Sequence, residues 1–208
     1  PTRRSSDLLT RGQLPDRASW DERAKVGDGT GRRLAGLLDL EAQGVDVTVQ
    51  HGDVTDADEM RMVVDEVRRT HGGIDAVVHA AGVIDDGPLI GKDLTDIDEV
   101  LGPKVYGTLV LEEVLADEEL DLFVLFGSTS TITAPIGQVD YVAANSFLDA
   151  LSGARHAHGE THYLTLGWGV WGDVGMAAEA VADDEPEPRP AAHILFDTVV
   201  TDRRGVTR

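Results

Sequence analysis

The sequence of 208 residues predicts an α/β fold built on a doubly wound parallel sheet. Short apolar segments of strand length alternate with longer segments of helical periodicity, which is typical of a parallel sheet with right-handed crossovers. Residues 122–126 are apolar without interruption, as expected of a strand buried on both faces. A composition of 41% hydrophobic and 27% charged residues indicates a globular chain that can bury a core.

Each element follows from a local pattern. Strands are predicted where apolar residues alternate or run together, and helices where they recur every three or four positions. Gly44 ends the first long helix, Thr55 is placed as the N-cap of the second, and Pro103 predicts a kink in the third. The predicted strands are residues 8–10, 45–49, 74–79, 122–126 and 163–166, and the predicted helices are 31–43, the helix after Thr55, 94–116 and 138–157.

The predicted fold lacks its first strand-helix unit. A Rossmann-type nucleotide-binding sheet opens with a strand, a glycine-rich turn and a helix, whereas here the first predicted strand, residues 8–10, leads directly to Arg11 and Gly12. We interpret that strand as the second of the fold. Residues 1–8 resemble the translation of a sequencing-adapter oligonucleotide and are interpreted as an artefactual N-terminus. The alternative is an ordinary basic N-terminal segment.

Charge and composition exclude several classes of protein. The 38 acidic residues against 18 basic ones give a formal net charge of −20, which disfavours binding to nucleic acid or to anionic membranes. The absence of cysteine excludes disulfides, thiol catalysis and cysteine metal sites, and no metal site is predicted. No apolar run approaches the roughly 20 residues of a membrane span, and no signal peptide is visible. We therefore expect a cytoplasmic protein.

Four polar residues form a set suited to carbonyl reduction. Ser128 follows the apolar strand at its carboxyl end, where parallel sheets bind ligands, and Tyr141 and Asn145 share one face of a predicted helix. A serine can hold a carbonyl oxygen and a tyrosine can donate a proton. The cation of Lys104 favours the tyrosinate left behind, and an asparagine can hold a water that resupplies the proton. Taken singly, Ser128 is more often a helix or turn cap, Tyr141 a packing residue and Lys104 a solvated lysine.

Five motifs in order resemble the ketoreductase domain of modular polyketide synthases, a family within the short-chain dehydrogenase/reductase superfamily. The resemblance covers residues 8–180, interpreted as one truncated NADPH-binding domain. It rests on segments that begin at His79 (HAAGVIDD), Pro103 (PKVYGT), Phe123 (FVLFGS), Gly137 (GQVDYVAANSFLDA) and Gly167 (GWGVWGDVGM).

One departure from the wider superfamily narrows the resemblance. Most short-chain dehydrogenases have a lysine four residues after the catalytic tyrosine, where this chain has Asn145, and its lysine comes earlier, at Lys104. Ketoreductases of polyketide and fatty-acid synthases show the same exchange. The resemblance implies that Tyr141 donates the proton and Ser128 polarises the ketone. It also implies that Lys104 tunes the tyrosine and binds the nicotinamide ribose, and that Asn145 completes the tetrad.

The resemblance also implies an NADPH site. Thr10 and Arg11 align with the pair that binds the 2′-phosphate, and a guanidinium fork suits a phosphate. No acidic residue follows that strand immediately, which disfavours NAD.

Asp53 and Val54 resemble the pair beside adenine. The turn at the adenine ribose is assigned to Ala80, Ala81 and Gly82, and the nicotinamide end to Lys104 and Tyr141.

Two further segments bear on the substrate. Asp85 and Asp86, after Ile84, resemble the Leu-Asp-Asp motif of B-type ketoreductases, and Thr133 stands where A-type enzymes have a marker tryptophan. The resemblance therefore implies a D-configured 3-hydroxyacyl product; the alternative is that Asp85 and Asp86 form a solvated turn. Trp168 and Met176 lie in the segment that, by resemblance, enters the lid over the acyl channel.

The resemblance implies a specific reaction and specific partners. The domain reduces the β-keto group of an acyl chain held as a thioester on an acyl carrier protein, in polyketide or fatty acid biosynthesis. The carrier protein and the other domains of the same synthase are the expected partners. Two alternatives stay open: a stand-alone short-chain reductase of small ketones, and a non-catalytic structural domain.

The two ends of the chain suggest a piece of a larger synthase. The acidic, proline-containing residues 181–190 are interpreted as a linker. Residues 191–208 resemble the opening of a dehydratase domain; the alternative is a terminal helix of the ketoreductase. Without the first strand, two edges inside the sheet are expected to lack partners and the amides that cradle a pyrophosphate are missing. We therefore expect little NADPH binding and no activity from these 208 residues alone.

Overall fold

The computed structural model of the chain describes residues 5–157, 161–169 and 198–201. Its strands are β1 (Ser5–Thr10), β2 (Asp46–His51), β3 (Ala76–His79), β4 (Leu122–Ser128), β5 (His162–Trp168) and β6 (Thr198–Thr201). Its α-helices are α1 (Trp20–Arg23), α2 (Gly29–Ala42), α3 (Ala57–His71), α4 (Leu94–Leu101), α5 (Gly107–Val114), α6 (Ser130–Thr133) and α7 (Val139–His156). Three short 3-10 turns (Arg17–Ser19, Ala24–Val26 and Leu89–Gly91) and a π-helical turn, Gly102–Tyr106, complete the described elements.

The strands form one sheet in the order β2-β1-β6-β3-β4-β5. β1 and β2 pair in parallel, and β3, β4 and β5 pair in parallel with one another. Neighbouring residues of β1 point to opposite faces of the sheet: Leu8 packs with Trp20, Leu34 and Leu37, whereas Leu9 belongs to the larger core. Apolar cores on both faces confirm the predicted α/β, Rossmann-type fold.

An antiparallel strand lies in the middle of this sheet. β6 pairs with β1 on one side and with β3 on the other, so that Val199 lies opposite Leu8 and Val78. Within the described ranges, the prediction of two unpaired inner edges is therefore wrong. The physical reason is that free N–H and C=O groups on two facing edges accept any extended segment that reaches them, whatever its direction. Residues 198–201 consequently form a strand and no part of a terminal helix.

The first strand begins earlier than predicted. β1 starts at Ser5, which pairs with Asp46, so residues 5–8 belong to the sheet. Their interpretation as an artefactual segment concerns their origin and stays a prediction.

Two helix boundaries depend on side-chain hydrogen bonds. Asp56 caps α3, because its Oδ1 accepts from the backbone amides of Asp58 at 2.9 Å and Glu59 at 3.0 Å. The predicted N-cap, Thr55, instead donates its hydroxyl to Asp53 Oδ1 at 2.7 Å. The N-cap prediction was wrong by one position because both residue types can cap, and only one of them faces the free amides.

The kink predicted at Pro103 is confirmed as a π-helical turn. Residues Gly102–Tyr106 separate α4 from α5, because a proline offers no amide and its ring pushes away the carbonyl of the preceding turn. This turn carries Lys104, and π turns inside helices often mark functional sites.

Several predictions fall outside the described residues. Met176, the linker at 181–190 and residues 191–197 and 202–208 of the dehydratase-like segment all lie there. Within the described ranges, no helix is long and apolar enough to cross a membrane.

Candidate active site

Ser128 is the last residue of the central strand β4. The strand is anchored by Phe123 and Leu125, which are fully buried, and by its parallel pairing with β5. Ser128 is half-buried, and its Oγ accepts from the backbone amide of Ser130 at 3.1 Å. That hydrogen bond leaves the hydroxyl proton of Ser128 available, as a donor to a carbonyl oxygen requires.

Tyr141 and Asn145 lie one turn apart on α7, as predicted. Tyr141 is half-buried and Asn145 is fully buried. Asn145 Nδ2 donates to the backbone carbonyl of Tyr141 at 2.7 Å, so the asparagine is held against the tyrosine's own turn. Its Oδ1 is buried and has no hydrogen-bond partner among the described residues. An unpaired buried acceptor is costly, so this oxygen is suited to hold a water molecule.

Lys104 enters the site from the π turn. Its Nζ lies 6.0 Å from the centroid of the Tyr141 ring and donates to the carbonyl of Phe126 at 2.7 Å. The residue is 3% exposed, and no ion pair with a carboxylate is found for it in the described part of the chain. Burial lowers the pKa of Lys104 to about 8. A buried cation without a counter-ion, placed beside a tyrosine, fits the predicted role.

His79, which the sequence analysis left without a role, supports this lysine. It ends β3 and is 1% exposed, and its Nε2 lies 3.0 Å from the carbonyl of Pro103. Burial, together with the nearby charge of Lys104, lowers the pKa of His79 to about 3. The imidazole is therefore neutral and donates from Nε2 to the carbonyl next to Lys104. Its position in the HAAG motif was the only signal.

Most of the predicted cofactor residues line one cavity. The cavity has a volume of about 60 Å³ and is bounded by β1, the segment after β2, the turn after β3 and Pro103. The predicted residues in its wall are Arg11, Asp53, Val54, Ala81 and Gly82. Of the rest, Thr10 is buried in β1, where its Oγ1 accepts from the Gly12 amide at 3.3 Å, and Ala80 is half-buried at the end of β3.

Arg11 and Asp53 face each other across this cavity. Arg11 Nη1 lies 3.9 Å from Asp53 Oδ2, and the arginine side chain is 66% exposed. Burial raises the pKa of Asp53, but two hydrogen bonds from Thr55 and the charge of Arg11 outweigh it, so the pKa is lowered. The guanidinium is held only loosely and remains available to an anion.

Gly107 allows the lysine-bearing helix to approach this cavity. A Cβ atom at Gly107 would lie 2.7 Å from Val54 Cγ1, a distance that real Cβ atoms do not show. The glycine thus brings α5, and with it the π turn, against the predicted adenine wall.

These residues fit an NADPH molecule in part. The exposed Arg11, the cavity behind it and the unpaired cation of Lys104 are the features that a 2′-phosphate, an adenosine and a nicotinamide ribose need. The cavity is much smaller than the roughly 300–1,000 Å³ of a formed ligand pocket.

The loop with Asp85 and Asp86 lies against the start of α7. Both residues are exposed. Asp86 Oδ2 accepts from Gln138 Nε2 at 2.8 Å, and Asp85 Oδ2 lies 3.1 Å from Lys92 Nζ. The structure therefore brings this predicted stereocontrol loop to the tyrosine helix. Lys92 was missed by sequence reasoning, although it is one of few basic residues in the acidic middle of the chain.

Trp168 is half-buried at the end of β5. Its carbonyl accepts from the Thr129 amide at 2.9 Å, next to Ser128, and its ring lies 5.4 Å from that of Phe126. Met176 lies outside the described residues. No group of His, Asp or Glu that could hold a metal ion is found where the structure is described.

Comparison with known proteins decides the family. The family model described as "KR domain" matches residues 24–173. The chain belongs to the KR domain family of polyketide synthase ketoreductases. It is therefore a ketoreductase domain of the short-chain dehydrogenase/reductase superfamily, as the motifs indicated, and its family reduces β-keto groups.

The relatives of this ketoreductase are large polyketide synthases. It is 38% identical over 160 residues to polyketide synthase PksN of Bacillus subtilis (strain 168), covering 74% of this chain and 3% of that protein. It is also 38% identical over 161 residues to pikromycin polyketide synthase component PikAII of Streptomyces venezuelae, covering 76% of this chain and 4% of that protein. The chain thus spans a small fraction of the length of these relatives.

A solved structure has a similar fold. A ketoreductase domain from the bacillaene assembly line superimposes with a TM-score of 0.70 at 28% identity, covering 88% of this chain and 42% of that one.

Proposed function

We propose that this ketoreductase uses NADPH to reduce the β-keto group of an acyl chain held as a thioester on an acyl carrier protein, in the cytoplasm. The observation that carries the proposal is the buried cation of Lys104, which has no carboxylate partner among the described residues and lies 6.0 Å from the ring centroid of Tyr141. A cation in that place stabilises the tyrosinate, and a tyrosine that must donate a proton near neutral pH needs such stabilisation.

The chain's own residues perform the proton chemistry. Ser128 donates its hydroxyl hydrogen bond to the ketone oxygen and orients it at the end of β4. NADPH, when bound, supplies the hydride that adds to the carbonyl carbon. Tyr141 transfers its phenolic proton to the oxygen, which becomes the hydroxyl of the product. The cation of Lys104 offsets the negative charge on Tyr141, and Asn145 Oδ1 holds the water from which the tyrosine regains a proton.

The cofactor half of the proposal rests on the cavity between β1, the segment after β2 and the turn after β3. Arg11 and Thr10 would hold the 2′-phosphate, Asp53 and Val54 would contact adenine, and the small residues 80–82 would leave room for the ribose. Lys104 and Tyr141 would bind the nicotinamide ribose. The further synthase domains are proposed because the matched part is only 3% and 4% of the two relatives, and the acyl carrier protein is proposed from the resemblance to polyketide synthase ketoreductases.

The reaction is tested with a matched pair of tyrosine variants in the complete polypeptide. Tyr141→Phe removes the proton donor and should lower kcat for a β-ketoacyl thioester at least 100-fold, within the usual range for general acid catalysis. Tyr106→Phe, at an exposed tyrosine of the neighbouring π turn, should leave kcat unchanged. Equal activity of the two variants contradicts the proposal. A protein that reduces small free ketones, but neither carrier-bound thioesters nor small thioesters that mimic them, is a stand-alone reductase instead.

We further propose a B-type, D-configured product, because Asp85 and Asp86 are held beside the tyrosine helix and Thr133 occupies the place of the A-type tryptophan. Chiral analysis of the 3-hydroxyacyl product tests this, and a predominantly L-configured product contradicts it.

We also propose that the 208 residues alone bind NADPH weakly and do not turn over. In the described part of the chain, no strand is followed by a glycine-rich turn and a helix that could cradle the pyrophosphate. An NADPH titration of this chain should give a dissociation constant well above micromolar. Micromolar affinity contradicts this proposal and leaves the proposed reaction intact.

A further inference from the structure

Lys92 connects the loop of Asp85 and Asp86 to the helix of the catalytic tyrosine. Its side chain is 4% exposed, and its Nζ lies 2.5 Å from Asp140 Oδ2 and 3.1 Å from Asp85 Oδ2. The same Nζ donates to the backbone carbonyl of Asp85. An ammonium group has three N–H donors, and here each of them has an acceptor: two on the loop and one on the helix.

Asp140 contacts both Lys92 and the backbone of Tyr141. It is the residue before the tyrosine, its side chain is 1% exposed, and its Oδ1 accepts from the Tyr141 amide at 2.9 Å. A carboxylate buried this deeply is costly unless it is paired. Burial lowers the pKa of Lys92, but its hydrogen bonds to Asp140 and Asp85 outweigh that effect and raise it. The lysine therefore stays charged while it compensates Asp140.

Two more hydrogen bonds join the same two segments. The Gly87 amide donates to the carbonyl of Gly137 at 2.9 Å, and Gln138 Nε2 donates to Asp86 Oδ2 at 2.8 Å. Gly137 has a φ of +87°, a conformation that glycine adopts at little cost. The bond of Gln138 is exposed, whereas the side chains of Lys92 and Asp140 are 4% and 1% exposed, so Lys92 is the anchor of the junction.

We propose that Lys92 is a positioning residue that fixes the Asp85–Asp86 loop against the Tyr141 helix and thereby sets which face of the ketone the substrate presents. This inference rests on the proposed function. The loop and Lys92 contact residues 137, 138 and 140, directly before Tyr141, so under the proposed function a loop free to move by an ångström would admit the acyl chain in both orientations. The contacts of Lys92 are with Asp85 and Asp140, so it acts only through these two aspartates.

The test uses three variants in the complete polypeptide. Lys92→Met removes the ammonium and keeps the length of the side chain. Because it leaves Asp140 buried without a partner, the double variant Lys92→Met/Asp140→Asn is made as well, which removes both charges and keeps an oxygen for the Tyr141 amide. The matched control is Lys25→Met, since Lys25 forms an exposed ion pair with Glu22 far along the chain.

Two readouts separate positioning from general stability. The ratio of the two 3-hydroxyacyl enantiomers should fall at least 5-fold in the double variant, whereas Lys25→Met keeps the wild-type ratio. The kcat of the double variant should fall by a smaller factor than the enantiomer ratio. Amide hydrogen exchange at Gly87 should become at least 10-fold faster in Lys92→Met and in the double variant, and should stay unchanged in Lys25→Met. A folded double variant with a wild-type enantiomer ratio overturns the inference, and so does unchanged hydrogen exchange at Gly87.

A wild-type protein that reduces no thioester overturns the proposed function, and the inference with it.

Discussion

Two buried ionisable residues define the chemistry of the site at the scale of single residues. Lys104 is charged at a cost, since burial lowers its pKa to about 8. His79 is neutral, since burial and the charge of Lys104 lower its pKa to about 3. The neutral imidazole can therefore donate to the Pro103 carbonyl without adding a second positive charge next to the lysine.

Replacing Lys104 should lower the activity and raise the stability of the domain. A pKa lowered from 10.5 to about 8 corresponds to about 3 kcal/mol of unfavourable burial, partly offset by the hydrogen bond to Phe126. Lys104→Met should therefore raise the free energy of unfolding by about 1 kcal/mol while it lowers kcat at least 100-fold. The free energy is measured by urea unfolding of this chain, and kcat by thioester reduction with the complete polypeptide. A variant that is both less stable and fully active contradicts the role given to Lys104.

His79 should make the fold sensitive to mild acid. Its pKa in the folded chain is about 3, against roughly 6.5 when unfolded, so the unfolded state binds more protons between these values. Stability from His79 is complete above pH 6.5 and is lost as the pH falls, by about 2 kcal/mol between pH 7 and pH 5.

The comparison is between two histidine-to-glutamine variants unfolded in urea at both pH values. His79→Gln keeps an N–H donor for Pro103 and should lose most of the pH dependence. His51→Gln, at an exposed position, should keep it. The same pH dependence in both variants shows that His79 is not its source.

At the scale of elements, the segment from α4 to α5 decides where the lysine sits. Pro103 opens the helix into a π turn, and Gly107 then lets α5 approach Val54 closely. Both features serve one end: Lys104 points toward β4 and α7, next to the cofactor cavity. A regular helix through residues 94–114 would place residue 104 at a different angle, because a π turn adds one residue to the turn.

A methyl group at Gly107 should disturb this packing. Its Cβ would lie 2.7 Å from Val54 Cγ1, so Gly107→Ala should destabilise the chain by about 1–2 kcal/mol after its gain in helix propensity. Gly153→Ala is the control, since Gly153 lies in α7 with nothing within 4 Å of a new Cβ, and it should stabilise the chain by up to about 1 kcal/mol. Thermal unfolding of both variants decides, and equal shifts contradict the close contact.

At the scale of the whole molecule, the sheet is completed by a strand that is far away in sequence. β6 joins the β1-β2 pair to the β3-β4-β5 set, and it does so antiparallel on both sides. The two halves of the predicted site, the cavity at β1 and the tetrad at β4 and α7, are therefore held in one sheet through residues 198–201.

Disrupting β6 should therefore lower the free energy of unfolding of the whole chain. Val199→Pro removes a backbone donor from a strand paired on both sides, so the free energy of unfolding should fall by about 3 kcal/mol or more. Val199→Ala keeps the backbone donor and should cost clearly less. Urea unfolding measures both. A proline variant as stable as the alanine variant shows that β6 does not hold the two halves together.

The sequence predicted the fold class, the strand carrying Ser128 and the helix turn shared by Tyr141 and Asn145, because each of these depends on a local period or a short spacing. It also predicted that Arg11, Asp53, Val54, Ala81 and Gly82 belong together, by resemblance, and the structure places them around one cavity. The N-cap of α3 and the start of β1 were wrong by a few residues, since neighbouring residues there have similar propensities.

What the sequence alone determined is therefore the order of strands β1 to β5 with the long helices between them, and the residue types at the ends of these strands. Only the tertiary structure decided the contacts between distant segments: Lys92 with Asp140, His79 with Pro103, and β6 between β1 and β3. The physical reason is that hydrophobic periodicity reports which face of an element is buried. Periodicity does not report which charge, carbonyl or strand edge from a distant segment will pair with a given buried group.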